Sequence, residues 1–153
     1  EKLCRSHGAL LFEDYEEVKG WMDWLMDTLD SMERPKCLCH IDANVDNFLF
    51  FEDGSVKLLD WEYAGMCDPV MDVSMCAIYS YYKEEDMERL FRLYLRREPS
   101  EDELFALYAN AALGGFLWCL WAVYKSILGD EFGEYTIIMY RYAKKYYRKL
   151  RKL

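Results

Sequence analysis

Four residues between His40 and Asp60 have the types and spacing to move a phosphoryl group onto a hydroxyl. The stretch reads His40-Ile41-Asp42-Ala43-Asn44-Val45-Asp46-Asn47 and is followed, past Glu52-Asp53-Gly54-Ser55, by the apolar run Val56-Lys57-Leu58-Leu59-Asp60. An ionised Asp42 on a loop leaving a strand can stand within hydrogen-bond reach of an acceptor hydroxyl and take its proton. Asn47 opens the next strand and Asp60 ends that strand's partner, so a hairpin returns the carboxylate next to the amide. One carboxylate, one amide oxygen, phosphate oxygens and water make a donor set that suits Mg2+, and ATP with Mg2+ is what such chemistry consumes. His40 is expected in the catalytic set, mainly by packing and hydrogen bonding that fix the loop rather than as a base. Asp and Asn are also ordinary turn residues; the apolar hairpin and the strand-end Asp together are what lift the pattern above a turn.

The elements that must position these groups are mostly helices. Tyr15, Val18, Trp21, Met22, Leu25, Met26 and Leu29 recur at three- and four-residue steps and predict a helix over 13–34, ended by Pro35. Lys36 to His40 reads as a short buried strand or turn entry. Asn47–Phe51 and Val56–Asp60 are predicted strands, with Asp53-Gly54 as the hairpin signal. Asp68-Pro69 makes a turn before an apolar helix over 71–82, and an amphipathic helix follows over 84–96. Ser100 and Glu103 form a capping box at the head of a helix running to about Leu128. Phe132-Gly133 opens a last helix. Leu104 to Tyr124 carries no charge and is long enough to span a bilayer. Its capping box, its Asn110, Gly114 and Gly115, and its scattered aromatics instead predict a buried core helix and no membrane span.

The chain has 153 residues, 53% of them apolar and 17% aromatic, enough for one globular domain with a core. A net charge of −9 argues against general nucleic-acid binding. The charge is uneven: seven Lys/Arg and no acid follow from Arg141, leaving −16 on the remainder, seven below the net −9. An acidic body favours a cationic substrate, or simply solubility. The basic tail, Lys144 to Lys152, complements a helix dipole more simply than it marks an anionic partner. No secretory leader is legible. The six cysteines form no C-x-x-C pair and read as free thiols of a cytoplasmic protein, without a zinc site. Cys37 and Cys39, two apart, share one strand face.

The run Leu38-Cys39-His40-Ile41-Asp42 to Asn47-Phe48-Leu49, with Leu58-Leu59-Asp60-Trp61-Glu62-Tyr63-Ala64-Gly65-Met66 and then Asp68-Pro69 and Asp72, resembles the choline/ethanolamine kinases. It is most similar to their bacterial, LicA-like branch within the aminoglycoside phosphotransferase clan. The resemblance implies a mainly α (α+β), protein-kinase-like C-terminal lobe, helical with a short β-hairpin carrying the catalytic and metal residues. It implies Asp42 as catalytic base, Asn47 and Asp60 as magnesium and cofactor ligands, and Asp72 as a brace beneath the loop. Trp118 and Trp121 share a helix face and resemble the aromatics that line the choline pocket, where ring faces attract a quaternary ammonium. Tyr63, Tyr79, Tyr82 and Glu131 are further expected walls, with plain core packing as the competing role of all these side chains. Where relatives carry an aromatic after Phe132-Gly133, this chain has Glu134.

These readings give a single domain over 1–153, with a leading helix (1–36), a catalytic loop and metal hairpin (37–72) and a helical substrate-binding subdomain (73–153). No glycine-rich phosphate loop or strand lysine is seen before His40, so the ATP-gripping N-terminal lobe is expected to lie outside this sequence. The expected reaction is ATP-dependent phosphorylation of choline to phosphocholine. Ethanolamine, another amino alcohol or an aminoglycoside are alternative acceptors, and a non-catalytic choline-binding lobe is the alternative outside enzymes. An exposed cleft face predicts self-association or contact with an N-lobe.

Overall fold

Apolar side chains every third or fourth position make most of this protein helical, and the computed structural model describes residues 1–8 and 12–152. The order is α1 (Lys2–Ser6), α2 (Tyr15–Ser31), β1 (Cys37–Cys39), β2 (Phe48–Phe50), β3 (Val56–Leu58), β4 (Gly65–Cys67), α3 (Val70–Tyr79), α4 (Glu84–Leu95), α5 (Glu101–Ile127) and α6 (Tyr135–Leu150). The mainly α architecture with short strands agrees with the sequence expectation. The chain divides into two compact units: 33–110 holds the strands, α3, α4 and the head of α5, and 1–32 with 111–153 holds α1, α2, the rest of α5 and α6.

In the first of these units, the strands form two antiparallel pairs. β2 pairs with β3 across the predicted hairpin, Phe48 opposite Leu58. Gly54 takes φ +79 at the turn, a conformation open to glycine. β1 pairs with β4, with Cys37 opposite Cys67 and Cys39 opposite Gly65. β1 is not the buried strand expected: only Cys39 is buried, and Leu38 is 61% exposed. In a three-residue strand paired on one edge the middle residue points to water, and Cys37 at its outer end is exposed as well. Ser100 and Glu103 make the expected reciprocal box, Ser100 N–H to Glu103 Oε2 at 2.9 Å and Glu103 N–H to Ser100 Oγ at 3.3 Å.

In the other unit, α2 packs on α6 and buries Tyr15, Val18, Met22 and Leu25. It stops at Ser31, short of Arg34: Met32 already adopts extended backbone, three residues ahead of Pro35. α5 approaches α6 through Gly115: a Cβ there would lie 2.7 Å from the Met139 carbonyl oxygen. By length and composition α5 could cross a membrane, but 67% of its most apolar window is buried within the protein. The basic tail is engaged locally. Lys144 bonds Asp14, Arg148 lies over the Trp21 ring, and Arg151 lies over Trp24. Hydrogen bonding to Lys144 holds the Asp14 carboxyl below its usual range, against the opposing effect of burial.

Candidate active site

β1 delivers the chain into the loop that begins at His40. His40 is fully buried, its Nε2 lies 2.6 Å from the Leu59 carbonyl oxygen, and its ring meets Trp61 edge-on at 4.9 Å. A carbonyl only accepts, so the proton sits on Nε2. The imidazole therefore ties the loop to the end of the β2–β3 hairpin.

Asp72, in the first turn of α3, holds the same loop from the other side. Its two oxygens accept from the backbone N–H groups of His40 (2.9 Å) and Ile41 (2.7 Å). Ile41 has φ +70, a conformation that a β-branched residue rarely adopts. Such backbone strain costs about 1–3 kcal/mol and persists only where surrounding contacts impose it; here the carboxylate of Asp72 does so. The turn it enforces brings Asp42 into the loop, half-buried.

Asp42 and Asn47 are brought together. Asn47 Nδ2 donates to the Asp42 carbonyl at 3.0 Å and to Asp42 Oδ2 at 3.3 Å, across a single 3-10 turn at Val45–Asn47. With its nitrogen turned to Asp42, the amide presents Oδ1 as its acceptor end. Leu59 N–H donates to the Asn47 carbonyl at 2.8 Å, which sets Asp60 one residue from that contact. Asp60 is exposed and takes φ +60, a conformation Asp tolerates better than most residues. Asp60 and Asn47 thus offer hard oxygen donors on neighbouring backbone, a set that fits Mg2+, which keeps most of its shell as water and phosphate. Among the described residues no three His, Cys, Asp or Glu side chains cluster as a protein-only metal cage.

The expected substrate walls separate by unit. Tyr63, Tyr79 and Tyr82 belong to the unit of the catalytic loop, whereas Trp118, Trp121 and Glu131 belong to the other. Trp118 and Trp121 do meet, edge to face at 5.3 Å, and Trp121 meets Phe132 at 5.1 Å. Trp118 is buried, and Lys125 Nζ lies 5.7 Å over the Trp121 ring while pairing with Asp130 at 3.1 Å. That ring already attracts one cation. Glu131, beside Phe132, is exposed.

Three site contacts were not legible in the sequence. β4 is too short to carry a periodicity signal. Arg34 pairs with Asp68 through Nε at 2.6 Å, both side chains 14% exposed, joining the end of the leading segment to the turn before α3. Asp68 Oδ1 also accepts from Val70 N–H at 3.0 Å, an Asx turn that the Asp-Pro pair does suggest. The Leu59 carbonyl that receives His40 had no signal at all, because any residue supplies a carbonyl.

A helical unit carrying a His-x-Asp loop, an Asn at the foot of a hairpin and an Asp at its far end defines a protein-kinase-like catalytic lobe. The chain belongs to the phosphotransferase enzyme family APH, whose family model matches residues 1–107. Protein LicA of Haemophilus influenzae is 27% identical, over 84% of this chain and 36% of that protein. Ethanolamine kinase 1 of Mus musculus is 26% identical, over 80% and 42%. The crystal structure of choline kinase LicA from Streptococcus pneumoniae aligns with a TM-score of 0.78 at 27% identity, over 92% of this chain and 50% of that one. The chain thus spans from about a third to a half of the length of these proteins.

Proposed function

We propose that this chain supplies the acceptor-activating half of an ATP-dependent kinase for an amino alcohol, with choline as the first candidate and phosphocholine as product. The observation that carries the reading is the pairing of Asp42 with Asn47 in a loop whose head is fixed by the His40 ring on the Leu59 carbonyl and by Asp72 on two backbone N–H groups. The Asp42 carboxylate accepts the proton of the acceptor hydroxyl as the oxygen attacks the γ-phosphorus and ADP leaves. Asn47 restrains Asp42 through its amide nitrogen, keeping the carboxylate at one angle to the hydroxyl. Asn47 Oδ1 and Asp60 would hold Mg2+, which when bound neutralises charge on the phosphates. His40 has no proton role in this reading; it anchors the loop.

The choice of choline rests on the choline kinase likeness and on the expectation that Trp118 and Trp121 attract a quaternary ammonium. Methylation removes every N–H donor from the nitrogen, so ring faces are the chemistry left to bind the quaternary ammonium of choline. A second reading, ethanolamine, is favoured by Lys125 over Trp121 and by the ethanolamine kinase relative. A primary ammonium would bind through carboxylates such as Glu131 as well as rings.

The test is turnover of the complete protein with ATP and magnesium on choline and on ethanolamine, together with calorimetric binding of each. Asp42→Asn should keep choline binding and lower turnover by about 10²–10⁴-fold. Near-normal turnover in that variant would remove Asp42 as the base. Trp121→Ala should raise KM for choline more than for ethanolamine; the opposite order would make ethanolamine the acceptor.

A further inference from the structure

Beside the catalytic loop lie three thiols on one face of the β1–β4 ladder, and the proposed reaction uses none of them. Cys37 stands directly opposite Cys67, and Cys39 stands opposite Gly65, which has no side chain to separate it from its neighbours. Directly opposed residues in an antiparallel pair point to the same face, as do residues two apart on one strand. Cys39 Sγ lies 3.7 Å from Cys37 Sγ and 3.4 Å from the Cys67 carbonyl oxygen. Cys37 is exposed, Cys67 half-buried and Cys39 buried.

We propose that Cys37 and Cys67 are a reversible oxidation site that closes a cross-strand disulfide and clamps the base of the catalytic loop. Opposed Cα atoms in an antiparallel ladder lie about 4.5–5.5 Å apart, inside the roughly 4.4–6.8 Å window that a disulfide needs. Cys37 and Cys39, two strand steps apart, sit at about 6.4–6.8 Å, the upper edge of that window. The cross-strand pair is therefore the easier bond to close, with the buried Cys39 beside it on the same face.

The oxidant is hydrogen peroxide. The Cys37 thiolate attacks one peroxide oxygen, the O–O bond breaks, and the departing hydroxide takes a proton to leave as water. Cys37 is then a sulfenic acid. The Cys67 sulfur attacks the Cys37 sulfur, its thiol proton passes to the departing hydroxyl, and a second water leaves. Two thiols have lost two electrons and two protons to one peroxide. The order follows exposure: burial pushes the Cys67 and Cys39 thiols up and keeps them protonated, so the solvent-facing Cys37 reacts first. A dithiol reductant reverses the bond.

The bond closes a loop from Cys37 to Cys67 that contains Asp42, Asn47 and Asp60. Its two anchor points lead directly into His40 on one strand and Asp68 on the other. The inference does not depend on the acceptor or on the proposed reaction.

The test treats this chain with stoichiometric hydrogen peroxide, blocks remaining thiols with an alkylating reagent, and maps the peptides by mass. The expected product has lost about 2 Da and links the Cys37 peptide to the Cys67 peptide. Its Tm should rise by about 5–10 °C and return when dithiothreitol is added. Cys37→Ser and Cys67→Ser should each abolish the link and the Tm rise, while Cys39→Ser and Cys119→Ser retain both. A link between Cys37 and Cys39, irreversible sulfinic acid at Cys37, or six unmodified thiols would each overturn the proposal.

Discussion

At the scale of single residues, the site depends most on Asp72, which makes no chemistry itself. Its carboxylate is the partner of both backbone N–H groups at the head of the loop, and it holds Ile41 at positive φ. Hydrogen bonds to a charged group are worth about 1.5–3 kcal/mol each, and removing the acceptor leaves two donors unpaired. Asp72→Ala is expected to destabilise the chain by about 2–4 kcal/mol in urea unfolding, with the change in midpoint and not in slope. Asp72→Asn keeps one acceptor oxygen and should fall between. Asp42→Ala, whose side chain accepts one long bond from Asn47 at 3.3 Å, should cost well under half as much in the same assay. Equal losses would mean that Asp72 does not brace the loop.

At the scale of elements, α5 provides two contrasting tests. Its head is set by Glu103, whose carboxyl is pulled down to about 2, first by Arg97 and then by the Ser100 backbone N–H. A carboxylate whose folded pKa lies below its ordinary value of 4.5 stabilises the fold fully above that value. The contribution then disappears as pH falls from 4.5 towards 2. Thermal melts should show Glu103→Gln less stable than wild type at neutral pH, with the difference shrinking over that acid window. A constant difference at all pH values would remove the ionised cap as its source. Further along, Gly115 is where α5 comes against α6. Gly→Ala inside a helix is normally favourable, but here the new methyl meets the Met139 carbonyl oxygen and Tyr142 Cβ. Gly115→Ala should therefore destabilise by about 1–3 kcal/mol, whereas Gly20→Ala in α2, with open space around it, should stabilise by up to about 1 kcal/mol.

At the scale of the whole molecule, charge and apolar surface act in opposite directions. A net −9 keeps copies apart. Yet residues 38–66 expose Leu38, Leu49, Phe50, Val56, Leu59 and Met66, with Phe50 77% exposed. Exposed apolar side chains in such number within one short segment mark surface that gains from being covered. Sedimentation over a concentration series should show this chain self-associating, more strongly at high salt where repulsion is screened. Phe50→Asp should return it to the monomer. Monomeric behaviour of the unaltered chain at all concentrations would show that the acidic charge outweighs the apolar face.

The sequence by itself determined the longer helices, because their apolar stripes and the Ser100–Glu103 box are local patterns that any packing must respect. It determined the residue types of the candidate site for the same reason: Asp42, Asn47 and Asp60, the proposed base and oxygen donors, are side chains at short spacing. It did not determine how that site is held. The Asp72 carboxylate on two backbone N–H groups, the Leu59 carbonyl on His40, the Arg34–Asp68 pair and the Cys37–Cys67 register are contacts between segments distant in sequence. Backbone groups are identical in every residue, and a three-residue strand has no period to read. Only the tertiary structure could choose those partners, because each depends on which segments the packed helices bring side by side.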